Sequence, residues 1–539
     1  MKIFGYRAKT WFAASLLLTF LSAGCGSTGV GSKTSNSSSP PPGGSAASGV
    51  FTRHYNTART GANTAETTLT PANVGSSSFG LLFTDPIDGF AIAQPLYVAN
   101  VAIAGQGTHN VVYVATENNT VYAFDADKQM SPLWQTSMNP SGGEAVPCTD
   151  IGQAACVAPT LGVTATPVID PATNTMYVEA RSKQNGGYSH HLHALDITSG
   201  AERQGSPVTI TASVPGTADG GSTVNFNPLS QNSRPALLLL NGVVYVSFGS
   251  LADLLQFHGW IMGYDANSLN QVSVFCTDPN GDDGSIWHSA GLASDGTSIF
   301  AVVGNGDFNP TVGDYGDTAL KLSAQLAIQD SFTPFNQDEL DSTDSDLGSG
   351  GPLLLPDEAG SSANPHLMIF AGKEGRIYLV NRDHMGGYNS TADQVVQELV
   401  GQLGGGTGGC AQLPHCSGTD VNFSTPAYWN GKVYFAAMND VLKSFTISSG
   451  ALSPTPFQAS NVGTGVLGYP PTVSANGTSN GIVWVLDFEN GFLLAFDANN
   501  LATQLFSAPL NVTEFSEPVV FNGKVYAGTQ FDLSVFGLH

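Results

Sequence analysis

One short apolar run keeps returning along the chain: VVYVAT at Val111, TMYVEA at Thr175, VVYVSF at Val243, SIFAVV at Ser298, LMIFAG at Leu367, KVYFAA at Lys432, IVWVLD at Ile482 and KVYAGT at Lys524. Runs of this length, rich in β-branched and aromatic residues and bounded by turn residues, read as buried strands. Each is followed by a second strand ending in a small or acidic residue: VYAFD, LHALD, IMGYD, ALKLS, IYLVN, LKSFT, LLAFD and LSVFG. Each is also preceded by a strand that usually opens on proline, as in QPLYV, TPVID, RPALLLL, GPLLLP, TPAYW, PPTVS and EPVVF, with SAGLAS in the fourth unit. Proline is tolerated there because the first residue of a strand loses no ladder hydrogen bond. Segments such as PLWQTS, QVSVFC and QLFSAP supply a further strand, so the unit is four short antiparallel strands.

Such a unit cannot bury both of its faces alone, whereas repetition around an axis buries every face and leaves only short edges. The pattern therefore predicts an all-β, eight-bladed β-propeller. Its last unit stops at LSVFGLH, and SFGLLFTDP, near residue 80, is an outer strand with no blade before it. The N-terminal strand is expected to complete the last blade and close the ring. Composition agrees: 63 glycines, 30 prolines and only 11% charged residues suit many turns and little helix.

The first residues lie outside the repeat. Lys2, Arg7 and Lys9 precede an apolar stretch too short to span a bilayer comfortably, which reads as a signal peptide over residues 1–24. It ends in LSAGC, which resembles a bacterial lipobox and makes Cys25 the lipidated first residue of the mature chain. Residues 25–50 read as a Gly/Ser/Pro tether and 51–539 as a single propeller. The expectation is an extracytoplasmic monomer held by a lipid anchor, in the outer membrane where the cell has two. The formal charge of −24 repels phosphate and excludes a nucleic-acid partner.

In that oxidising setting Cys148 with Cys156, and Cys410 with Cys416, are natural disulfide pairs, and Cys276 is left as a buried thiol. Neither pair has the spacing of a zinc knuckle. His191 and His193 share a strand face but have no third ligand nearby. The run DPNGDDG, at 278 to 284, looks like an incomplete Ca²⁺ loop, and Asp338, Glu339, Asp341, Asp344 and Asp346 form an acidic cluster that is either a solvated loop or a Ca²⁺ site.

The repeats resemble those of the pyrroloquinoline quinone type propellers, found in quinoprotein alcohol dehydrogenases and in non-catalytic propeller lipoproteins of outer-membrane assembly. The resemblance is nearest in the order GSIW, VVGNGDFNP, VGDYGD, FTPFNQDELDSTDSDLGSGGPLLLP and AGKEGRIYLVNRD. It implies that Trp287 supports the flat quinone and Asn305 ligates the Ca²⁺ that polarises it. It further implies that Asp346 or Asp344 is the base that takes the substrate hydroxyl proton, and that Lys373 is the cation beside the quinone oxygens. The family's Ca²⁺-ligating acid falls nearest Asp253. The chain also departs from the dehydrogenases. It has no adjacent cysteines to form their disulfide ring, Leu340 and Ser345 stand where an aromatic is expected, and no C-x-x-C-H motif is present to attach haem. Two readings follow: a quinone- and Ca²⁺-dependent alcohol or sugar dehydrogenase, and a non-catalytic scaffold binding a protein or carbohydrate.

Overall fold

The computed structural model describes residues 48–152, 156–404, 421–463 and 468–539. Cys25, Cys410 and Cys416 lie outside the described residues. Residues Ala47–His539 form one compact unit, in which eight larger sheets are the blades of a β-propeller, beside two two-stranded sheets among the described residues, Ser213–Pro215 with Thr223–Asn225 and Phe308–Asn309 with Asp314–Tyr315. In order, the inner strands are Leu96–Ile103, Val168–Asp170, Leu238–Leu240, Ala293–Ser294, Leu353–Leu354, Ala427–Trp429, Thr472–Asn476 and Val519–Phe521. The expected closure is present: Phe79–Pro86 pairs antiparallel with Asp532–Leu538 and becomes the outer strand of the eighth blade.

The tyrosine of the repeat has a physical task. In five blades its buried ring stands on the second strand, and its hydroxyl donates to the carbonyl just after the third strand of the following blade. Tyr113 reaches Ile197 at 3.0 Å, Tyr177 reaches Ala266 at 2.8 Å, and Tyr245 reaches Ala324 at 2.6 Å. Tyr434 reaches Ala498 at 3.0 Å, and Tyr526 reaches Ala126 at 3.2 Å, which ties blade eight to blade one. A phenol buried in an apolar seam needs such a partner. The periodic V-Y of the sequence is therefore a blade-to-blade clamp as well as a hydrophobic pattern.

A belt with no strand pattern of its own runs around the inner strands. Gly49 and Val50 pair with Val98 and Tyr97 of blade one, and the carbonyl of Phe51 accepts from the Ile169 amide of blade two. Carbonyls of Thr57, Ala58, Thr60 and Gly61 accept from the amides of Ser294, Leu354, Tyr428 and Val473, in blades four to seven. Buried Arg59 donates to the carbonyls of Leu237 and Leu292, and Asn63 donates to that of Val520 in blade eight. One circuit of chain thus gives polar backbone groups at or beside every inner strand a hydrogen-bond partner.

This connectivity fixes where a site can form. In a four-stranded antiparallel blade, the segment entering the inner strand and the turn between second and third strands lie at the same end of the ring. Side chains from these two kinds of loop in neighbouring blades therefore converge.

Candidate functional site

Trp287 lies in the segment entering blade four, and Asn305 follows the second strand of that blade, Ile299–Val302. Asp344 and Asp346 lie in the segment entering blade five, and Lys373 follows its second strand, Leu367–Ala371. Asp253 follows the second strand of blade three, Val243–Phe248. All six belong to the convergent end, and five of them touch.

The Trp287 indole donates to Asp346 Oδ1 at 3.1 Å, and the backbone N–H of Asn305 donates to the same oxygen at 2.9 Å. Lys373 Nζ is 2.7 Å from Asp346 Oδ2 and 2.7 Å from Asp344 Oδ1. Asn305 Nδ2 donates to Asp344 Oδ1 at 2.9 Å, which turns its side-chain carbonyl the other way. That oxygen, Asn305 Oδ1, is buried without a hydrogen-bond partner. Asn305 also lines a cavity of about 250 Å³, together with Asp253, Phe257, Asp283, Ser285, Asp341, Asp344 and Asp346. Asp253 is the sixth predicted residue; it lines the same cavity and accepts from Ser250 Oγ.

Five carboxylates around one small space raise each other's proton affinity. Burial pushes Asp283 up to about 7, helped by the charges of Asp253 and Asp282. Burial and the neighbouring Asp346 push Asp344 up to about 6. Burial also raises Asp253 and Asp341. Asp346 is the exception: burial alone would raise it, but Lys373 and the hydrogen bonds from Asn305 and Trp287 hold it below the ordinary carboxylate range. Asp253, Asp283 and Asp344 also adopt positive φ, at 50°, 75° and 56°. Non-glycine residues take that conformation at a cost, and such positions cluster at ligand sites.

The arrangement suits a hard divalent cation. Ca²⁺ takes oxygen ligands from carboxylates and amide carbonyls, and the cavity wall offers oxygens of that kind from Asp253, Asn305, Asp344 and Asp346, which would have to draw closer together to share one ion. The surroundings of Trp287 suit a flat anion. The Arg234 guanidinium lies 5.5 Å from its ring and 4.4 Å from that of Phe515, Lys373 Nζ lies 5.9 Å from the Trp287 ring, and Phe423 packs on it at 5.9 Å. Arg234 is buried and also feels the charges of Glu514, Glu117 and Asp253. The belt supports this aromatic group from beneath, since Arg53 donates to the Phe515 carbonyl at 2.7 Å.

Several of these residues were not singled out by the sequence pattern. Asp283 sits in the DPNGDDG run and Asp341 in the acidic cluster, so both were visible as acids but not as cavity walls. Arg234 gave a signal in being a charged residue opening an apolar strand, RPALLLL, in a chain with only 18 Lys and Arg. Phe423 and Phe515 carried none. The disulfide joins Cys148 to Cys156, and buried Cys148 packs with Leu251 next to the Asp253 turn. Cys276 is a buried free thiol. His193 Nδ1 is taken up by Glu202 at 2.6 Å.

No protein-family model matches the chain, and no curated protein matches it. Solved structures do. A quinohemoprotein alcohol dehydrogenase from Pseudomonas putida HK5 aligns at 14% identity over 91% of this chain and 80% of its own, with a TM-score of 0.63. A europium-containing methanol dehydrogenase aligns at 14% identity over 91% of this chain and 98% of its own, with a TM-score of 0.61. The quinohemoprotein alcohol dehydrogenase of Comamonas testosteroni aligns at 14% identity over 91% and 80%, with a TM-score of 0.59. The chain thus has the β-propeller fold of quinoprotein alcohol and methanol dehydrogenases.

Proposed function

We propose that this propeller holds pyrroloquinoline quinone and Ca²⁺ at its Trp287 end and oxidises an alcohol or sugar outside the cytoplasm, tethered through lipid on Cys25. The observation that carries the reading is an acidic cavity walled by Asp253, Asn305, Asp344 and Asp346, with Trp287 and Lys373 both bound to that wall through Asp346. Asn305, Asp253 and an Asp346 or Asp344 oxygen would hold the cation, and Trp287 would support the quinone ring. Lys373 and Arg234 supply positive charge for its carboxylates and ring oxygens. The quinone, when bound, supplies the two-electron acceptor chemistry that no side chain has. Of the two candidate bases, Asp344 is the better suited: its carboxyl, pushed to about 6, takes a proton more readily than Asp346, which is held low by Lys373.

The test is dye-linked oxidation of primary alcohols and aldoses by the chain loaded with quinone and Ca²⁺. The reading expects activity that needs both additions and falls by about 100-fold or more in Asp344→Asn. A chain that binds quinone yet turns over no substrate would lose the enzymatic half of the proposal. The alternative, a non-catalytic scaffold, is favoured by one feature: both oxygens of Asp346 are already engaged by Lys373, Trp287 and Asn305.

A further inference from the structure

On blade three the strand register assembles a second cluster, made of different residues from those of the acidic cavity. The third strand, Trp260–Asp265, pairs antiparallel with Gln271–Cys276, placing Trp260 opposite Cys276. One step further out, the Thr277 amide donates to the Gly259 carbonyl at 3.0 Å. The same register therefore sets His258 opposite Asp278. Residues two apart on a strand share a face, so Cys276 and Asp278 point the same way as His258. Donor atoms of His258, Cys276 and Asp278 all lie within 4.8 Å of one another. The three residues are 3%, 5% and 0% exposed.

Two atoms in this cluster are poorly satisfied. His258 Nδ1 has only its ion-pair contact with Asp278 Oδ1 at 3.4 Å, and Asp278 Oδ2 is buried without a hydrogen-bond partner. Buried polar groups that are poorly satisfied are costly, and these two lie within ligand distance of a thiol, where a bound cation would satisfy them. The other imidazole nitrogen, His258 Nε2, meets Asp219 Oδ1 at 3.3 Å. That carboxylate on the far nitrogen is the usual orienting partner of a metal-bound histidine. His258 and Asp219 also line a cavity of about 470 Å³, which gives an ion a route in.

We infer that His258, Cys276 and Asp278 form a binding site for a borderline transition-metal ion of the Zn²⁺ type, with Asp219 as the positioning residue. One nitrogen, one sulfur and one oxygen suit Zn²⁺ and leave a fourth position for water. A hard ion such as Ca²⁺ avoids thiolate. Binding converts the Cys276 thiol to thiolate and releases its proton. The sequence hid the site because its ligands do not form a spaced motif; they meet only through the pairing of two strands.

The test is a Co²⁺ titration of the chelator-treated full-length chain, with an excess of Ca²⁺ present. One equivalent should produce a near-ultraviolet thiolate-to-cobalt band that Zn²⁺ then abolishes. Cys276→Ala should remove the band, and Asp278→Asn should weaken cobalt binding at least tenfold with the thiol still in place. Asp219→Asn should weaken it about tenfold while keeping the band. Asn305→Ala should leave it unchanged. Circular dichroism confirms the fold of each variant. Absence of the band at millimolar cobalt, its persistence in Cys276→Ala, or unchanged affinity in Asp278→Asn would each overturn the site.

Discussion

At the scale of single residues, the acidic cavity holds a surplus of negative charge, with Lys373 as the cation between Asp344 and Asp346. Replacing Lys373 by Met leaves Asp344 and Asp346 side by side without their cation, and the loss is expected at about 3 kcal/mol or more in urea unfolding. Added Ca²⁺ should recover part of it. Asn305→Ala removes the unpartnered carbonyl and the amide that orients Asp344. It is expected to cut the Ca²⁺-induced rise in thermal midpoint, with apparent affinity lower by at least tenfold. The carboxyl shifts set a pH dependence of definite sign. Asp283 and Asp344 titrate at about 7 and about 6 in the folded chain, against 3.8 ordinarily. Between those values the folded state binds more protons than the unfolded one, so stability falls as pH rises through the window. In chelator the thermal midpoint should be higher at pH 5 than at pH 8, and Ca²⁺ should stabilise more at pH 8 than at pH 5. A midpoint in chelator that rises between pH 5 and 8 would contradict the assignment.

At the scale of elements, the tyrosine clamp and the belt carry most of what is specific to this ring. Tyr245→Phe keeps the packing and leaves the Ala324 carbonyl unpartnered, and is expected to cost about 1 kcal/mol in the same unfolding assay. Arg59→Leu strands the carbonyls of Leu237, Leu292 and Arg53 together, and should cost about 3 kcal/mol or more. The strands were legible because their pattern lives in side chains: apolar runs, an opening proline, a recurring tyrosine. The belt was not, because its bonds are largely main-chain carbonyls to main-chain amides, which leave no mark on residue type. The same division holds at the site. Trp287, Asn305, Asp344, Asp346 and Lys373 could be placed by their order in the chain. Arg234 and Asp341 needed the packing of neighbouring blades to bring them in, Phe515 needed the closure of the ring, and the His258 cluster needed the register of two strands.

At the scale of the whole molecule, the chain closes through its own start. Phe79–Pro86 covers the edge of Asp532–Leu538, an edge that would otherwise present unpaired groups to other copies. A ring so closed can hold a site whose parts come from the third, fourth, fifth, sixth and eighth blades. Among the described residues no helix is long and apolar enough to cross a membrane. The central claim is that the Trp287 end binds a flat quinone together with Ca²⁺. The most direct measurement is a titration of pyrroloquinoline quinone into the full chain, with and without Ca²⁺, following tryptophan fluorescence and thermal midpoint beside a Trp287→Ala control. Saturable binding that needs Ca²⁺ and is lost in the control is the predicted result. No binding at high micromolar quinone in the presence of Ca²⁺ would contradict the account and leave a scaffold in search of its partner.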